Sequence, residues 1–301
     1  MNSSLYFWQL NYLPALGIVV TGHARWYRLA KTYRVVSMSA VTLFEVQNHV
    51  AYITLNRPEA MNSLNPELRW SLSQHFDEIE NNDDIWIGLV TGAGESAFCA
   101  GMDLKHAATQ RDASEEQKME WANMADETLS ITERWHFRKP LIAKINGYAL
   151  GGGLEMALAC DIIVAADHAE LGLPEPRRGL IPGAVGVHRL PRQMGLKAAM
   201  GYLLTGRHMS AQRAYELGLV NQVVPSCELD DTVDEWIGDI LRCAPLAIRA
   251  VKEASMRGLD MTLADAFNTS YEEETARRNS KDAIEGPEAF SEKRAPNWQG
   301  K

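Results

Sequence analysis

The sequence lacks the cysteine patterns of a metal or redox site. Its four cysteines, Cys99, Cys160, Cys227 and Cys243, show neither CxxC nor Cys/His ligand spacing. Two of them lie within apolar runs, so we expect buried free thiols in a reducing compartment. The chain also lacks low-complexity tracts and repeats of solenoid length. These absences favour an ordinary globular protein, and we expect no metal site.

An excess of basic residues is also missing. The 301 residues include 39 Asp and Glu against 30 Lys and Arg, a net charge of −9. Binding of nucleic acid requires a basic face that neutralises phosphates, so we expect no nucleic-acid partner. The length allows a sizeable core, in one large domain or a domain with a helical appendage.

Acidic residues are absent from residues 1–44, where Arg25, Arg28, Lys31 and Arg34 are basic. The apolar run "LPALGIVV" (13–20) is too short to span a bilayer, and its basic residues follow it, unlike those of a secretory signal. We expect no membrane partner. Residues 1–38 are either an acid-poor targeting sequence or residues ahead of a true start at Met38. We favour the second and place them outside the fold. We expect a cytoplasmic location, or a mitochondrial one if the source is eukaryotic and residues 1–37 are a transit segment.

Strand and helix patterns alternate, which predicts an α/β fold with a largely parallel sheet. "VTLFEVQNHVAYITLN" (41–56) predicts a β-hairpin, and buried strands are expected within 85–92, 141–147 and 160–175. Between them, Asn65 and Pro66 mark the start of a helix. The buried face of this helix is predicted from apolar spacing to contain Leu68, Leu72, Phe76 and Ile79.

After about residue 195 the patterns are mostly helical, and "VNQVV" (220–224) is the one strand expected there. No linker rich in Pro, Gly or Ser separates the halves. We therefore predict a core over residues 39–230 that carries the active site. A C-terminal helical subdomain follows over residues 231–301, packed on that core or on a neighbouring chain.

Three consecutive glycines, Gly151 to Gly153, precede a predicted helix in "NGYALGGGLE" (146–155). A phosphate loop needs a lysine and a hydroxyl after its last glycine, but Leu154 and Glu155 follow here. Two interpretations stay open from the run alone: close packing of a strand against a helix, or a backbone donor aimed at a reacting oxygen.

A second glycine-containing turn follows a buried strand in "SAFCAGMDLKH" (96–106). Two such turns can aim two backbone N–H groups at one oxygen, and the start of a helix favours negative charge. Glu155 lies on the predicted helix, and Glu175 lies in a turn flanked by prolines. Either glutamate alone would be interpreted as a solvated surface residue. Beside an anion hole, the pair becomes a candidate for acid–base work on a carbonyl compound.

Five blocks resemble, in order and spacing, the enoyl-CoA hydratase/isomerase (crotonase) superfamily. They are "ITLNRPEAMNSLN", "AFCAGMDLK", "INGYALGGGLEMALACDIIVAA", "LGLPEPRRGLIPGAVGVHRLPRQMG" and "LTGRHMSAQRAYELGLVNQVV". The resemblance runs from about Val41 to the C-terminus, where "DAIEGPEAFSEKRAPNWQGK" also resembles carnitinyl-CoA dehydratases. It implies a spiral of ββα units with a C-terminal helical region used in trimer formation. It also implies a homotrimer, or a homohexamer made of two trimers.

The resemblance implies that the N–H groups of Met102 and Gly152 stabilise the enolate of an acyl-CoA thioester. Hydratases of the family keep both glutamates, whereas isomerases can work with one. The implied reaction is therefore the reversible syn addition of water to a 2,3-enoyl-CoA, as in fatty-acid β-oxidation. Glu155 and Glu175 hold the water, Glu155 helps to activate it, and Glu175 moves the C2 proton. No cofactor is expected, because coenzyme A is part of the substrate.

The family's contacts with coenzyme A map onto two clusters and the tail of this chain. In the family, the residues that match Phe290 and Lys293 can reach coenzyme A from a neighbouring subunit. The contacts are expected at Ala60, Met61, Ala100, Asp103, Leu104, Lys105, Phe290 and Lys293.

Departures from the family pattern concern the acyl group. Many hydratases read "PGxGGTQRLPR" where this chain reads "PGAVGVHRLPR", so Val185 replaces a glycine and His188 a glutamine. His188 is either a substrate contact or, as we favour, a packed or solvated histidine. Arg177 and Arg178 could bind a polar acyl group, although we favour their interpretation as surface residues in ion pairs.

Alternatives to hydration therefore stay open. They are an enoyl-CoA isomerase and a dehydratase of a polar acyl-CoA such as carnitinyl-CoA. A non-catalytic, RNA-binding homologue is disfavoured because the acidic chain contains no lysine-rich cluster.

Overall fold

A computed structural model of the protein describes residues 34–38, 40–109 and 113–301. Its strands are β1 (Arg34–Met38), β2 (Thr42–Gln47), β3 (Val50–Leu55), β4 (Ile87–Gly92), β5 (Ala97–Cys99), β6 (Leu141–Ile145), β7 (Tyr148–Leu150), β8 (Ile162–Ala166), β9 (Glu170–Gly172), β10 (His208–Ser210) and β11 (Gln222–Val224). Its α-helices are α1 (Pro66–Asn81), α2 (Leu104–Thr109), α3 (Glu115–Asp126), α4 (Gly152–Leu158), α5 (Gly186–Gln193), α6 (Leu196–Thr205), α7 (Ala211–Glu216), α8 (Leu229–Leu241), α9 (Pro245–Gly258), α10 (Leu263–Asn268), α11 (Glu272–Arg278) and α12 (Asp282–Glu292). Short 3-10 helices include Pro58–Ala60, Ile131–Glu133, Glu175–Arg178 and Ser226–Glu228.

The strands form two sheets in the described part of the chain. The larger has the order β1-β2-β3-β4-β6-β8-β11, antiparallel from β1 to β3 and parallel from β3 onward. The smaller has the order β10-β9-β7-β5 and is parallel except for the β9–β10 pair. The α/β class with largely parallel sheets is confirmed.

Helix α1 confirms the prediction made from its start signals and its period. Asn65 caps it by accepting a hydrogen bond from the backbone N–H of Leu68 through its side chain, and Pro66 occupies the first turn. Leu68, Leu72 and Phe76 are buried against the larger sheet's core. The hairpin is also confirmed, because β2 and β3 pair antiparallel across Gln47 and Val50.

Two short strands differ from expectation. Strand β10 is a second strand after residue 195, so the prediction that "VNQVV" is the one strand there is wrong. Strand β10 pairs with β9, and its three residues are too few to show a period-2 pattern. Residues Arg34–Met38, within the segment we placed outside the fold, pair antiparallel with β2. Residues 1–33 lie outside the described part of the chain.

The C-terminal residues form the expected helices α8 to α12. Helix α9 is joined to the core, since Lys252 Nζ donates to Asp161 Oδ2 and to the carbonyl of Lys139, both at 2.7 Å. Cys99 and Cys160 are free and buried, as predicted. Among the helices of the described residues, none combines the length and the apolar character that crossing a membrane requires.

Candidate active site

Three neighbouring parallel strands of the smaller sheet, β5, β7 and β9, position the site. Their carboxyl ends meet at one edge of the sheet, which is where parallel sheets commonly bind ligands. Strand β5 leads into Met102, β7 leads into the glycine run, and β9 leads into Glu175. Segments far apart in sequence are therefore brought together by strand pairing.

The three glycines of the run differ in what a side chain at each position would meet. Gly151 has a φ of +54°, and a Cβ there would lie 2.9 Å from Glu175 Oε1. A Cβ on Gly153 would overlap the backbone carbonyl of Cys99 in β5. Gly152 begins α4, where a Cβ would meet only Leu64 Cδ1 at 3.0 Å and Gly101 at 3.9 Å. Close packing and an accessible backbone therefore coexist in one run.

The segment before Met102 lies against the start of α4. A Cβ placed on Gly101, which has a φ of +87°, would be 3.2 Å from the backbone nitrogen of Gly152. Within the described residues, the N–H groups of Met102 and Gly152 donate no hydrogen bond. Both are thus available for an anion, and the second lies at the positive end of a helix.

Glu155 is a buried carboxyl on the first turn of α4, with only 3% of its surface exposed. Its Oε1 accepts a hydrogen bond of 2.8 Å from the N–H of Gly186, at the start of α5. Burial raises the pKa of Glu155 to about 7 against the lowering effect of Gly186, and the charge of Glu175 raises it further. A carboxyl with this pKa can exchange protons near neutral pH.

Glu175 begins the 3-10 helix after β9 and faces the glycine run. Its Oε2 is buried and has no hydrogen-bond partner in the part of the chain that the structure describes. Burial raises the pKa of Glu175 above its ordinary value, while its own N–H and the guanidinium of Arg178 oppose this rise. An unpaired buried oxygen is costly in a resting protein and indicates a group that awaits a partner.

The residues predicted to contact coenzyme A fall into two places. Met61 ends the turn formed by Pro58–Ala60, and its carbonyl accepts a hydrogen bond from Ala100 N–H at 3.0 Å, so the two predicted clusters adjoin. Leu104 and Lys105 are exposed at the start of α2. Phe290, 87% exposed, and Lys293 lie at the end of α12, and their contact with coenzyme A stays a prediction.

Two arginines and a histidine near the site are on the surface. Arg177 Nε donates to the carbonyl of Thr205 at 2.8 Å, so its partner is a backbone group and not an acidic side chain. Arg178 is exposed and close enough to Glu175 to affect its pKa. His188 is exposed on α5.

Several residues of the site escaped the sequence-based prediction. Gly186 supplies the N–H that binds Glu155, and Leu64 and Arg57 contact the Met102 segment. Leu64 and Arg57 lie in the block "ITLNRPEAMNSLN", and Gly186 in "PGAVGVHRLPR". The sequence therefore identified the blocks that contain these residues. It did not identify the contacts, because the partners lie 31 to 46 positions away along the chain.

Two unpaired backbone donors lie beside two carboxyls of raised pKa, Glu155 buried and Glu175 half-buried. Acid–base chemistry with stabilisation of an oxyanion requires groups of these two kinds. The chain belongs to the enoyl-CoA hydratase/isomerase family, whose sequence profile matches residues 45–301. The family resemblance is thereby confirmed.

Relatives and solved structures agree with this membership. The chain is 41% identical to the (E)-benzylidenesuccinyl-CoA hydratase of Thauera aromatica over 260 residues, which cover 86% of this chain and 99% of that one. It is 38% identical to the carnitinyl-CoA dehydratase of Escherichia coli K12, over 83% of this chain and 94% of that one. The structure of an enoyl-CoA hydratase from Bacillus anthracis superposes with a TM-score of 0.78 at 38% identity, covering 87% and 100% of the two chains.

Proposed function

We propose that the protein is an enoyl-CoA hydratase that adds water reversibly across the double bond of a 2,3-enoyl-CoA. The observation that carries this proposal is the pair of glutamates, both of raised pKa, beside two unpaired backbone donors; Glu155 is buried, and Glu175 is half-buried with a buried, unpaired Oε2. One carboxyl suffices to move a proton along a carbon chain. Two carboxyls can hold a water molecule and move two protons.

The proposed reaction starts from an ionised Glu155 and a protonated Glu175. Glu155 takes a proton from water, whose oxygen bonds to C3; the electron pair of the C2=C3 double bond forms a C1=C2 bond, and the carbonyl π pair moves onto the thioester oxygen. The N–H groups of Met102 and Gly152 stabilise that negative charge. The enolate then takes a proton at C2 from Glu175 on the same face, which gives syn addition. After product release, Glu155 loses its proton to solvent and Glu175 regains one, which restores the starting state. Dehydration follows the same steps in reverse.

The expected contributions are sufficient for catalysis of this kind. Each oxyanion donor lowers the activation barrier by roughly 3–4 kcal/mol. Each general acid or base raises the rate by roughly 10²–10⁴-fold. The proposed steps use these four groups and water, with coenzyme A arriving as part of the substrate. Its proposed contacts are those predicted from the family.

A second candidate is a hydratase or dehydratase acting on a polar acyl-CoA. Two relatives carry such names, for carnitinyl-CoA and for benzylidenesuccinyl-CoA. The exposed guanidinium of Arg178, next to Glu175, is suited to the free carboxylate of a benzylidenesuccinyl group and not to the quaternary ammonium of a carnitinyl group. This candidate shares the chemistry of the first and differs in the acyl group.

We propose a homotrimer, or a hexamer of two trimers, as the assembly. The C-terminal helices expose several large apolar side chains that water does not favour. Leu263 and Phe267, one turn apart on α10, are 89% and 87% exposed, and Leu259, at the end of α9, is 77% exposed. A neighbouring chain would cover them.

A panel of acyl-CoAs tests the proposed function. The purified protein is incubated with crotonyl-CoA, a longer 2-enoyl-CoA, crotonobetainyl-CoA and a 3-enoyl-CoA, and products are identified by mass spectrometry. We expect a gain of one water on the first two substrates. Faster turnover of crotonobetainyl-CoA would favour the second candidate. Isomerisation of the 3-enoyl-CoA with no hydration of any substrate would contradict both.

A further inference from the structure

The segment that carries Met102 is hydrogen-bonded to the loop 57–64. Leu64 N–H donates to the carbonyl of Gly101 at 2.7 Å, and Asp103 N–H donates to the carbonyl of Leu64 at 3.1 Å. These two bonds form a parallel bridge that brackets Met102 on both sides. They fix the direction of the Met102 peptide while leaving its own N–H unpaired.

Leu64 also reaches the second donor. Its Cδ1 lies 3.0 Å from the position that a Cβ on Gly152 would take. Leu64 is thus bonded to the Met102 segment through its backbone and contacts the Gly152 segment through its side chain. Strand pairing of β5 with β7 brings the two segments together, and whatever holds Leu64 adjusts the spacing between the two N–H groups within that frame.

Arg57 holds both sides of this bridge. Its Nη1 donates to the carbonyl of Ser63 at 2.5 Å, and its Nη2 pairs with Asp103 Oδ2 at 2.9 Å. Ser63 precedes Leu64, and Asp103 follows Met102, so one rigid guanidinium spans the bridge. The side chains of Arg57 and Asp103 are only 16% and 11% exposed.

The turn of Ala60 and Met61 has a separate anchor. Asn62 is fully buried and accepts a hydrogen bond from Arg57 N–H through Oδ1. Its Nδ2 donates to the carbonyls of Ala93 and Ala97. The predicted coenzyme A contacts in this turn are therefore held by Asn62 and do not depend on the guanidinium.

We infer that Arg57 is a positioning residue for the oxyanion hole, acting through Asp103 to fix the Met102 N–H relative to that of Gly152. The carboxylate of Asp103 is already engaged within the chain, because Oδ2 pairs with Arg57 and Oδ1 accepts the N–H of His106; its contact with coenzyme A stays a prediction. For its effect on rate, the inference rests on the proposed hydration reaction.

Kinetics separate positioning from binding. A donor displaced by about 1 Å costs on the order of 100-fold in rate, so Arg57→Met is expected to lower kcat by roughly 10- to 100-fold. KM should change by less than about threefold, because the Asn62 anchor remains. Arg57→Lys should recover part of kcat, and Asp103→Asn should lower kcat in the same way. The double variant should be no worse than the poorer single variant.

Arg249→Met is the matched control. Arg249 pairs with Glu273 at 2.6 Å, and the two side chains are 14% and 9% exposed, which resembles the Arg57–Asp103 pair in burial. We expect similar losses of thermal stability in Arg57→Met and Arg249→Met, but a loss of kcat only in the first. Equal losses of kcat in the two variants would overturn the inference. So would Asp103→Asn raising KM while kcat stays unchanged.

Amide hydrogen exchange tests the positioning without using turnover. In Arg57→Met, the amides of Leu64 and Asp103, which form the bridge, should exchange faster than in the wild type, while those of α4 stay protected. Unchanged exchange at Leu64 and Asp103 would overturn the inference even if kcat fell. A wild type that hydrates no acyl-CoA would contradict the proposed function, and the exchange result would still decide the positioning. Arg57→Lys serves in its place if Arg57→Met fails to fold.

Discussion

Val185 is strained beside the proposed catalytic base. It has a φ of +76° at the N-cap of α5, a conformation that glycine adopts readily and that β-branched residues rarely adopt. The next residue, Gly186, donates the hydrogen bond to Glu155. Strain of this kind is found at functional sites, where the surrounding structure maintains it.

We expect Val185→Gly to stabilise the protein. Relief of the left-handed conformation is worth about 1–2 kcal/mol, and the extra freedom of glycine in the unfolded chain removes roughly half of that gain. Urea titration followed by circular dichroism measures the change. Val187→Gly, two positions on in the same helix, is the control and should destabilise. Lower stability of Val185→Gly would show that its side chain contributes packing that outweighs the strain.

Glu155→Gln should also stabilise the fold, but only at neutral and higher pH. The pKa of Glu155 is raised, so the folded state binds this proton more tightly than the unfolded state. Its favourable contribution is complete below the unfolded pKa of about 4.5 and is lost as pH rises through about 7. The variant should gain roughly 2–3 kcal/mol over the wild type at pH 8 and little at pH 5. An equal gain at both values would contradict the assigned pKa.

At the scale of elements, α1 carries a buried polar cluster against the hairpin. Thr42 Oγ1 on β2 lies 2.6 Å from Ser71 Oγ and 2.9 Å from His75 Nε2. The His75 ring stacks on Phe44 with 4.5 Å between centroids. Burial lowers the pKa of His75 to about 4. The cluster joins a helix to the sheet and holds a histidine in its neutral form.

This cluster predicts an acid-sensitive fold. Because the pKa of His75 is lowered, its contribution is complete above the unfolded pKa of about 6.5 and is lost as pH falls through about 4. The total loss is about 3 kcal/mol. Denaturant midpoints measured between pH 7 and 4 should fall less steeply in His75→Gln than in the wild type or in the exposed variant His188→Gln. Parallel slopes for all three proteins would contradict the assignment.

Long elements were predictable from their own period. Among the three-residue strands, β11 was expected within 220–224 and β9 within 160–175, but β7 and β10 were not expected. Helix α1 repeats its apolar residues over sixteen positions and carries both start signals. Strands β5, β7, β9 and β10 have three residues each, so they show no period, yet the first three carry the site at their ends. Their positions follow from pairing with neighbouring strands and not from their own residues.

At the scale of the whole molecule, the proposed assembly rests on the exposed apolar residues of the C-terminal helices. We expect a trimer or hexamer in solution, measured by light scattering. Phe267→Glu should shift the mass toward the monomer, because a charge is costly in an apolar interface. Asp265→Glu, on the same helix, is the control and should leave the mass unchanged. A monomeric wild type would contradict the proposed assembly.

The residues of the site, like the elements of the fold, were predictable from sequence only in part. Glu155, Glu175 and the glycine run were recognisable from residue type and motif. Gly186 and Arg57 were not assigned, because their roles depend on contacts across 31 and 46 positions that the fold creates. Residue chemistry therefore reveals which groups can react, whereas strand pairing decides which groups hold them in place.

The central claim is that two carboxyls act on water and on the C2 proton. It is tested most directly by the initial rate of crotonyl-CoA hydration in the wild type, Glu155→Gln and Glu175→Gln, followed through the loss of the conjugated thioester absorbance. We predict that each substitution lowers kcat by roughly 10²–10⁴-fold, with folding intact by circular dichroism. Full activity in either variant would contradict the two-carboxyl mechanism.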